Sequence, residues 1–233
     1  MFLRRLIIPV CIFFLLQVKA QNMVDSRAVK GLDNTYLEDQ FYAGLAYNFI
    51  TDLPANVVLR NLSYNLRFGF VKDLPLNAQR NFGLGVGFGY DVNSYYTNMV
   101  AEEINGDIGY RLTLPTENIN RTKLETHAVE FPLEIRWRTS NSEDYKFWRI
   151  YGGVKSSYVF SRRSKTVSDS GSSSFSNTDV RNWQHGLTLS FGYNTWNIQL
   201  FYALNPLLED GVTLNTEPIA LRPLRVGVVF YIL

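Results

Sequence analysis

The sequence predicts an all-β fold, an eight-stranded antiparallel transmembrane β-barrel. Three observations carry that expectation. Apolar residues recur at every second position along eight segments, which is the strand period and not the helix period. One face of these segments is bulky and apolar, while the other holds glycine, amides and charge. The connections alternate between long and short, the layout of a barrel with loops on one side of a membrane and turns on the other.

The first strand alternates Phe41, Ala43, Leu45, Tyr47 and Phe49 with Tyr42, Gly44, Ala46 and Asn48. The second, Leu62 to Phe70, sets Leu, Tyr, Leu, Phe and Phe against Ser63, Asn65, Arg67 and Gly69. The third, 81–92, sets Phe82, Leu84, Val86, Phe88, Tyr90 and Val92 against Asn81, four glycines and Asp91. The fourth, His127 to Arg138, has Val129, Phe131, Leu133, Ile135 and Trp137 on one face and Glu130, Glu134, Arg136 and Arg138 on the other. The fifth, Phe147 to Phe160, opposes Trp148, Ile150, Val154, Tyr158 and Phe160 to Arg149, Gly153 and Lys155. The sixth carries Leu187, Leu189, Phe191 and Tyr193, and the seventh Trp196, Ile198, Leu200 and Tyr202. The eighth, Leu224 to Leu233, is apolar on both faces, so its facing stays open. Between strands three and four, 94–123 reads as a long loop, and the Ser-rich stretch Ser161 to Asp179 as a mobile loop. Only Asn194 and Thr195 join strands six and seven.

Alternation alone does not say which face is inside. A soluble barrel puts the apolar face in, and a membrane barrel puts it out. Eight strands leave an interior just wide enough for side chains. Gly83, Gly85, Gly87 and Gly89 fit such a crowded interior beside long neighbours such as Arg67 and Arg136. On a water-facing surface they would only weaken the strand. The apolar face is almost free of charge, as lipid demands, since Arg or Lys at mid-depth costs roughly 2–4 kcal/mol. The same glycines are not a dinucleotide fingerprint: the third glycine of G-x-G-x-x-G would fall at Phe88, and no helical pattern follows.

Residues 1–20 read as a cleaved signal peptide, with Arg4 and Arg5 before the apolar run Leu6 to Leu16 and a cut before Gln21. That run is too short for a membrane-spanning helix. Residues 21–35 follow as an N-terminal periplasmic segment and 36–233 as the barrel. Removing Arg4, Arg5 and Lys19 leaves 20 basic residues against 21 acidic ones, so nothing favours a nucleic-acid partner. Cys11 leaves with the signal, and with it any disulfide or thiolate site. No cofactor and no metal site is expected.

The inward face should hold Arg67, Asp91, Glu130, Glu134, Arg136, Arg138, Arg149 and Lys155. Isolated charges there would be costly, so a salt-bridged network filling the lumen is favoured over a narrow water path. His127 and His185 fall on the outward face near the outer rim, with Glu125 two residues before the one and Asp179 six before the other. A His–acid pair is conceivable, but no nucleophile motif accompanies it, and no enzyme is expected. Tyr95, Tyr96, Trp137, Trp148 and Trp183 are candidates for the aromatic girdles.

The run Val129-Glu130-Phe131-Pro132-Leu133-Glu134-Ile135-Arg136, with Phe147 to Gly153 and Tyr158-Val159-Phe160, resembles the PorT-like outer-membrane β-barrel proteins of Bacteroidota. The strand 81–92 and the signal ending Lys19-Ala20-Gln21 are similar too, and the resemblance covers residues 36–233. It implies a barrel of the porin-family type and a link to type IX protein secretion, and it brings no catalytic residue. The chain departs from the pattern at Leu233, where such barrels often end in an aromatic. The expected role is structural or partner-binding in the cell envelope. Expected partners are outer-membrane lipid, the barrel assembly machinery during biogenesis, and other envelope or secretion proteins. A narrow passage for small solutes stands second and a rim-located enzyme third.

Overall fold

The computed structural model describes residues 40–77, 79–139 and 147–232. The proposed signal peptide, the segment 21–35 and most of the turn at 139–145 lie outside these residues. The strands are β1 (Gln40–Thr51), β2 (Tyr64–Pro75), β3 (Phe82–Thr97), β4 (Met99–Ile104), β5 (Asp107–Leu112), β6 (Ile119–Arg138) and β7 (Trp148–Ser168). They continue with β8 (Gly171–Ser176), β9 (Trp183–Tyr193), β10 (Trp196–Ala203), β11 (Thr213–Leu214), β12 (Glu217–Pro218) and β13 (Arg222–Ile232).

Eight of them form one closed antiparallel ring in the order β1-β2-β3-β6-β7-β9-β10-β13, with β13 returning to β1. Each wall strand pairs with its neighbours in sequence, so the topology is an up-and-down meander with no free edge. Closure removes the edge amides that water would otherwise have to satisfy, a condition of crossing lipid. The two-residue connection at Asn194-Thr195 is a tight hairpin turn, and Asn194 takes the left-handed conformation there (φ 54). The short connections and both ends of the ring lie on one side, the long connections on the other. In an outer-membrane barrel these are the periplasmic and outer sides.

Accessibility follows the alternation strand by strand. β9 and β10 alternate without a break between exposed and buried. Phe41, Phe68, Phe88 and Ile198 are about 60 % exposed, while Arg136, Asp91 and Asn65 are sealed inside. A soluble chain would have to hold that apolar belt in water; lipid holds it without cost. The last strand is now fixed: Pro223, Arg225, Gly227, Val229 and Tyr231 share the lumen parity, and Leu224, Val226, Val228, Phe230 and Ile232 the outer one.

Three expectations change. The stretch 94–123 is not a plain loop: β3 runs on to Thr97, β4 and β5 form a hairpin, and β6 begins at Ile119. Arg111 clamps that hairpin through Glu102 (2.6 Å) and Glu117 (2.7 Å), and its hydrogen bond holds the Glu117 carboxyl below the usual carboxylate range. The Ser-rich stretch is likewise built, since β7 extends to Ser168 and pairs with β8. Tyr95 is no girdle residue: it is odd-numbered on β3, so it points inward with the glycines and is 1 % exposed. Trp137, Trp148 and Trp183 are exposed on the outer face and Tyr96 shares their outward parity but is half-buried, while Trp196 joins Trp137 and Trp148 at the short-turn rim, packing edge-on to Phe230 at 4.4 Å.

Candidate functional site

The lumen is the place where sequence reasoning puts the chemistry, and its side chains stack in layers. At the short-turn end, Arg136 donates to Glu134 through Nε and Nη2, each at 3.2 Å, and to Gln40 at 3.3 Å. Its Nη1 stands 3.6 Å from Asp73. Its guanidinium lies over the rings of Tyr151 (4.5 Å) and Tyr231 (5.4 Å). Arg138 bonds Asp73 and the Arg80 carbonyl. Arg149 sits over Phe147 at 4.5 Å. In the middle, Glu130 accepts from Lys155 (2.6 Å) and from the Tyr42 hydroxyl (2.7 Å). Nearer the outer end, Asp91 accepts from Arg225 (3.1 Å) and from Asn65. Phe201 lies against both Arg225 (4.3 Å) and Lys155 (4.8 Å). Arg67 faces Asp91 across the β2–β3 ladder.

The glycine stripe makes this filling possible. A Cβ at Gly85 would stand 2.5 Å from Arg136 Nε, and one at Gly44 would stand 2.6 Å from Arg67 Nε. A side chain at either position would have to displace the arginine beside it. Burying a charge without partners is costly, so layering Arg136, Arg138, Arg149, Lys155 and Arg225 against carboxylates or aromatic faces is what makes the interior tolerable.

Sequence reasoning missed two lumen charges and one hydroxyl. Asp73 sits beyond the predicted end of strand two. Arg225 lies on the strand whose facing was open. Tyr42 supplies the hydroxyl that completes Glu130. The two-residue period, run on to Pro75, would have found Asp73.

Little space remains. The opening framed by Tyr42, Arg67, Glu130, Lys155 and Tyr231 amounts to about 10 Å³, room for one water at most. The outer mouth is covered as well. Val57, Val180, Leu207, Leu208, Leu214, Ile219 and Leu221 come from the outer connections or their flanks and bury together against Ile50, Tyr95, Ala128 and Val159 of the wall. Backbone bonds tie this cap down, including Arg181 N–H to Leu207 C=O (3.0 Å) and Leu207 N–H to Leu221 C=O (2.8 Å).

The rim histidines are both outside the wall. His127 Nδ1 is 2.5 Å from the Tyr90 hydroxyl, and its Nε2 is 3.5 Å from Glu125. The Glu125–His127 pair is therefore formed. His185 and Asp179 are not brought together. Asp179 turns to Asn177 and Glu209 through its backbone, while His185 Nδ1 meets Ser156 Oγ at 3.0 Å. Its ring runs parallel to that of Trp183. That Ser–His contact depends on the β7–β9 register and has no local sequence signal. No acid among the described residues orients the far side of the His185 ring, as a general base would need. Among the described residues no group of three His, Cys, Asp or Glu is placed to hold a metal ion.

No curated protein matches the chain. Among solved structures, the attachment invasion locus protein Ail of Yersinia pestis is similar over 83% of this chain and 97% of that one, at 11% identity and a TM-score of 0.37. A likeness at that level says nothing about the role of this chain. A family model described as an outer membrane protein beta-barrel domain matches residues 19–209. With the closed ring and the lipid-type outer face, that match identifies the chain as a member of the outer membrane protein beta-barrel domain family.

Proposed function

We propose that this barrel is a non-conducting scaffold of the outer membrane that acts through contacts of its outer hairpins with other envelope proteins. The observation that carries the reading is the packed and capped lumen, where the opening framed by Tyr42, Arg67, Glu130 and Lys155 holds only about 10 Å³. A wall so packed offers a small solute no path. What remains available for function is what stands outside it. β6 has 20 residues and β7 has 21, whereas about 9–11 cross a bilayer. The surplus, with the β4–β5 and β7–β8 hairpins, projects beyond the rim as ordered strand. Ordered projections lose little entropy on binding, which suits them to recognition. The resemblance to PorT-like barrels supports a narrower version, in which the partner belongs to the type IX secretion machinery.

A strain lacking the gene tests this when complemented with the full chain or with a chain whose residues 99–112 are replaced by a short Gly-Ser turn. The full chain should restore secreted cargo and the hairpin-less chain should not, although both reach the outer membrane. Full restoration by the hairpin-less chain would contradict the display role. Unchanged secretion in the deletion strain would remove the secretion link.

A further inference from the structure

The outward face of the projecting β6–β7–β8 strands carries a cluster that lumen filling does not use. Outward parity there is set by Glu125 and His127 on β6. Continuing upward it reaches Lys123 and Arg121. Across the ladder, Lys165 is paired with Lys123 and Arg163 with Glu125. Two lysines directly opposite one another repel, and sheets ordinarily avoid that arrangement. One carboxylate lies among the four cations, and Glu125 is already engaged by Lys123 and His127. Arg121 leans over the Tyr96 ring at 6.0 Å. The Arg163 and Lys165 side chains have no hydrogen-bond or ion-pair partner among the described residues. The next strand adds hydroxyls to the same face, Ser174 opposite Lys165 and Ser176 opposite Arg163.

The height of this cluster says what it meets. Tyr90, His127 and Phe160 group together at the outer rim, with Tyr158 and Trp183 beside one another on neighbouring strands, as an aromatic girdle does at a headgroup boundary. Glu125, Lys123 and Arg121 follow two, four and six residues above His127. At ~3.4 Å per residue and a tilt of ~40° they stand roughly 5, 10 and 15 Å above the girdle. That places the cluster on the outward face of the sheet, from the headgroup boundary upward.

We infer that this face, built on Arg121, Lys123, Arg163 and Lys165, is a docking site for the phosphate groups of an anionic glycolipid in the outer leaflet. Phosphate supplies the countercharge that Arg163 and Lys165 lack, and the serines meet the sugar hydroxyls. The inference rests on the outer-membrane placement and is independent of the display reading.

The full chain is refolded into vesicles of phosphatidylcholine alone and of phosphatidylcholine with diphosphorylated lipid A. The temperature at which the folded gel band is lost is then measured. Lipid A should raise that temperature for the native chain. Lipid A that stays bound on detergent extraction should fall about tenfold or more in Lys123→Gln/Lys165→Gln, since each basic residue adds appreciably to anionic-surface binding. Lys123→Arg/Lys165→Arg and Lys72→Gln, an outward cation at the other end of the wall, should behave as the native chain. If the Gln pair does not fold, Arg121→Gln/Arg163→Gln supplies the same comparison. Equal retention by native and Gln chains would overturn the site. So would the same stabilisation from inorganic phosphate or from dephosphorylated lipid A. Binding of a polyglutamate peptide without any lipid A effect would reassign the face to an acidic protein.

Discussion

Gly85 and Arg136 form one tight unit in the lumen, because the side chain one strand lacks is the room the other occupies. Gly85→Val should therefore overpack the wall by about 1–3 kcal/mol, read as a lower urea midpoint in lipid vesicles. The Glu130–Lys155 pair is a second test. Lys155→Met alone leaves a buried carboxylate and should cost roughly 3–5 kcal/mol, whereas adding Glu130→Gln should recover much of that loss. A double-mutant cycle on the same midpoint separates the two. Asn65 is a third test. Arginine there looks mild from parity alone, as an inward polar position. Asn65 is fully buried and bonded to Asp91 and Asn93, so Asn65→Arg has no space and should also fold poorly. The inward positions of Arg67, Asp91, Glu130, Glu134, Arg136, Arg149 and Lys155 were legible because a period of two leaves only two choices. Arg225 was not, because Val226 and Val228 outside are matched by Gly227 and Val229 inside, and such a strand reads the same from either face.

At the scale of elements, the outer belt is the feature that membrane insertion acts upon. Leu84→Arg places a guanidinium against lipid and should cost roughly 2–4 kcal/mol if it lies at mid-depth, with a matching loss of folded, heat-shiftable band. The β4–β5 hairpin was written in the sequence more plainly than its reading as a loop allowed. Asn105-Gly106, both at positive φ, is the strongest short-range hairpin signal, and it lies between two β-rich runs. The absence of clean alternation hid it, since the hairpin is a separate two-stranded sheet outside the ring of wall strands. Its ionic clamp gives a pH dependence with a definite sign. The depressed Glu117 carboxyl stabilises the hairpin above the ordinary glutamate range, and that contribution is lost as pH falls through the lowered folded value. Amide exchange at Leu112 to Glu117 should quicken in acid before the wall strands respond.

At the largest scale, the described barrel is a closed ring of strands whose two ends differ. Strand number, the side of the long loops and the facing of every wall strand but the last were readable, because lipid forces a simple pattern on those strands. The cap was not. Val57, Val180, Leu207, Leu208, Leu214 and Ile219 come from separate connections with no shared period, and only the folded chain brings them together. Yet the cap, with the packed charge layers, decides between a scaffold and a passage. The most direct test of that decision is planar-bilayer conductance of the full chain, refolded and checked for a band that shifts on boiling. A sealed barrel should give no stepwise current at any applied voltage. Steady single-channel steps that vanish on mutation of a lumen residue such as Arg67 or Lys155 would contradict the sealed scaffold.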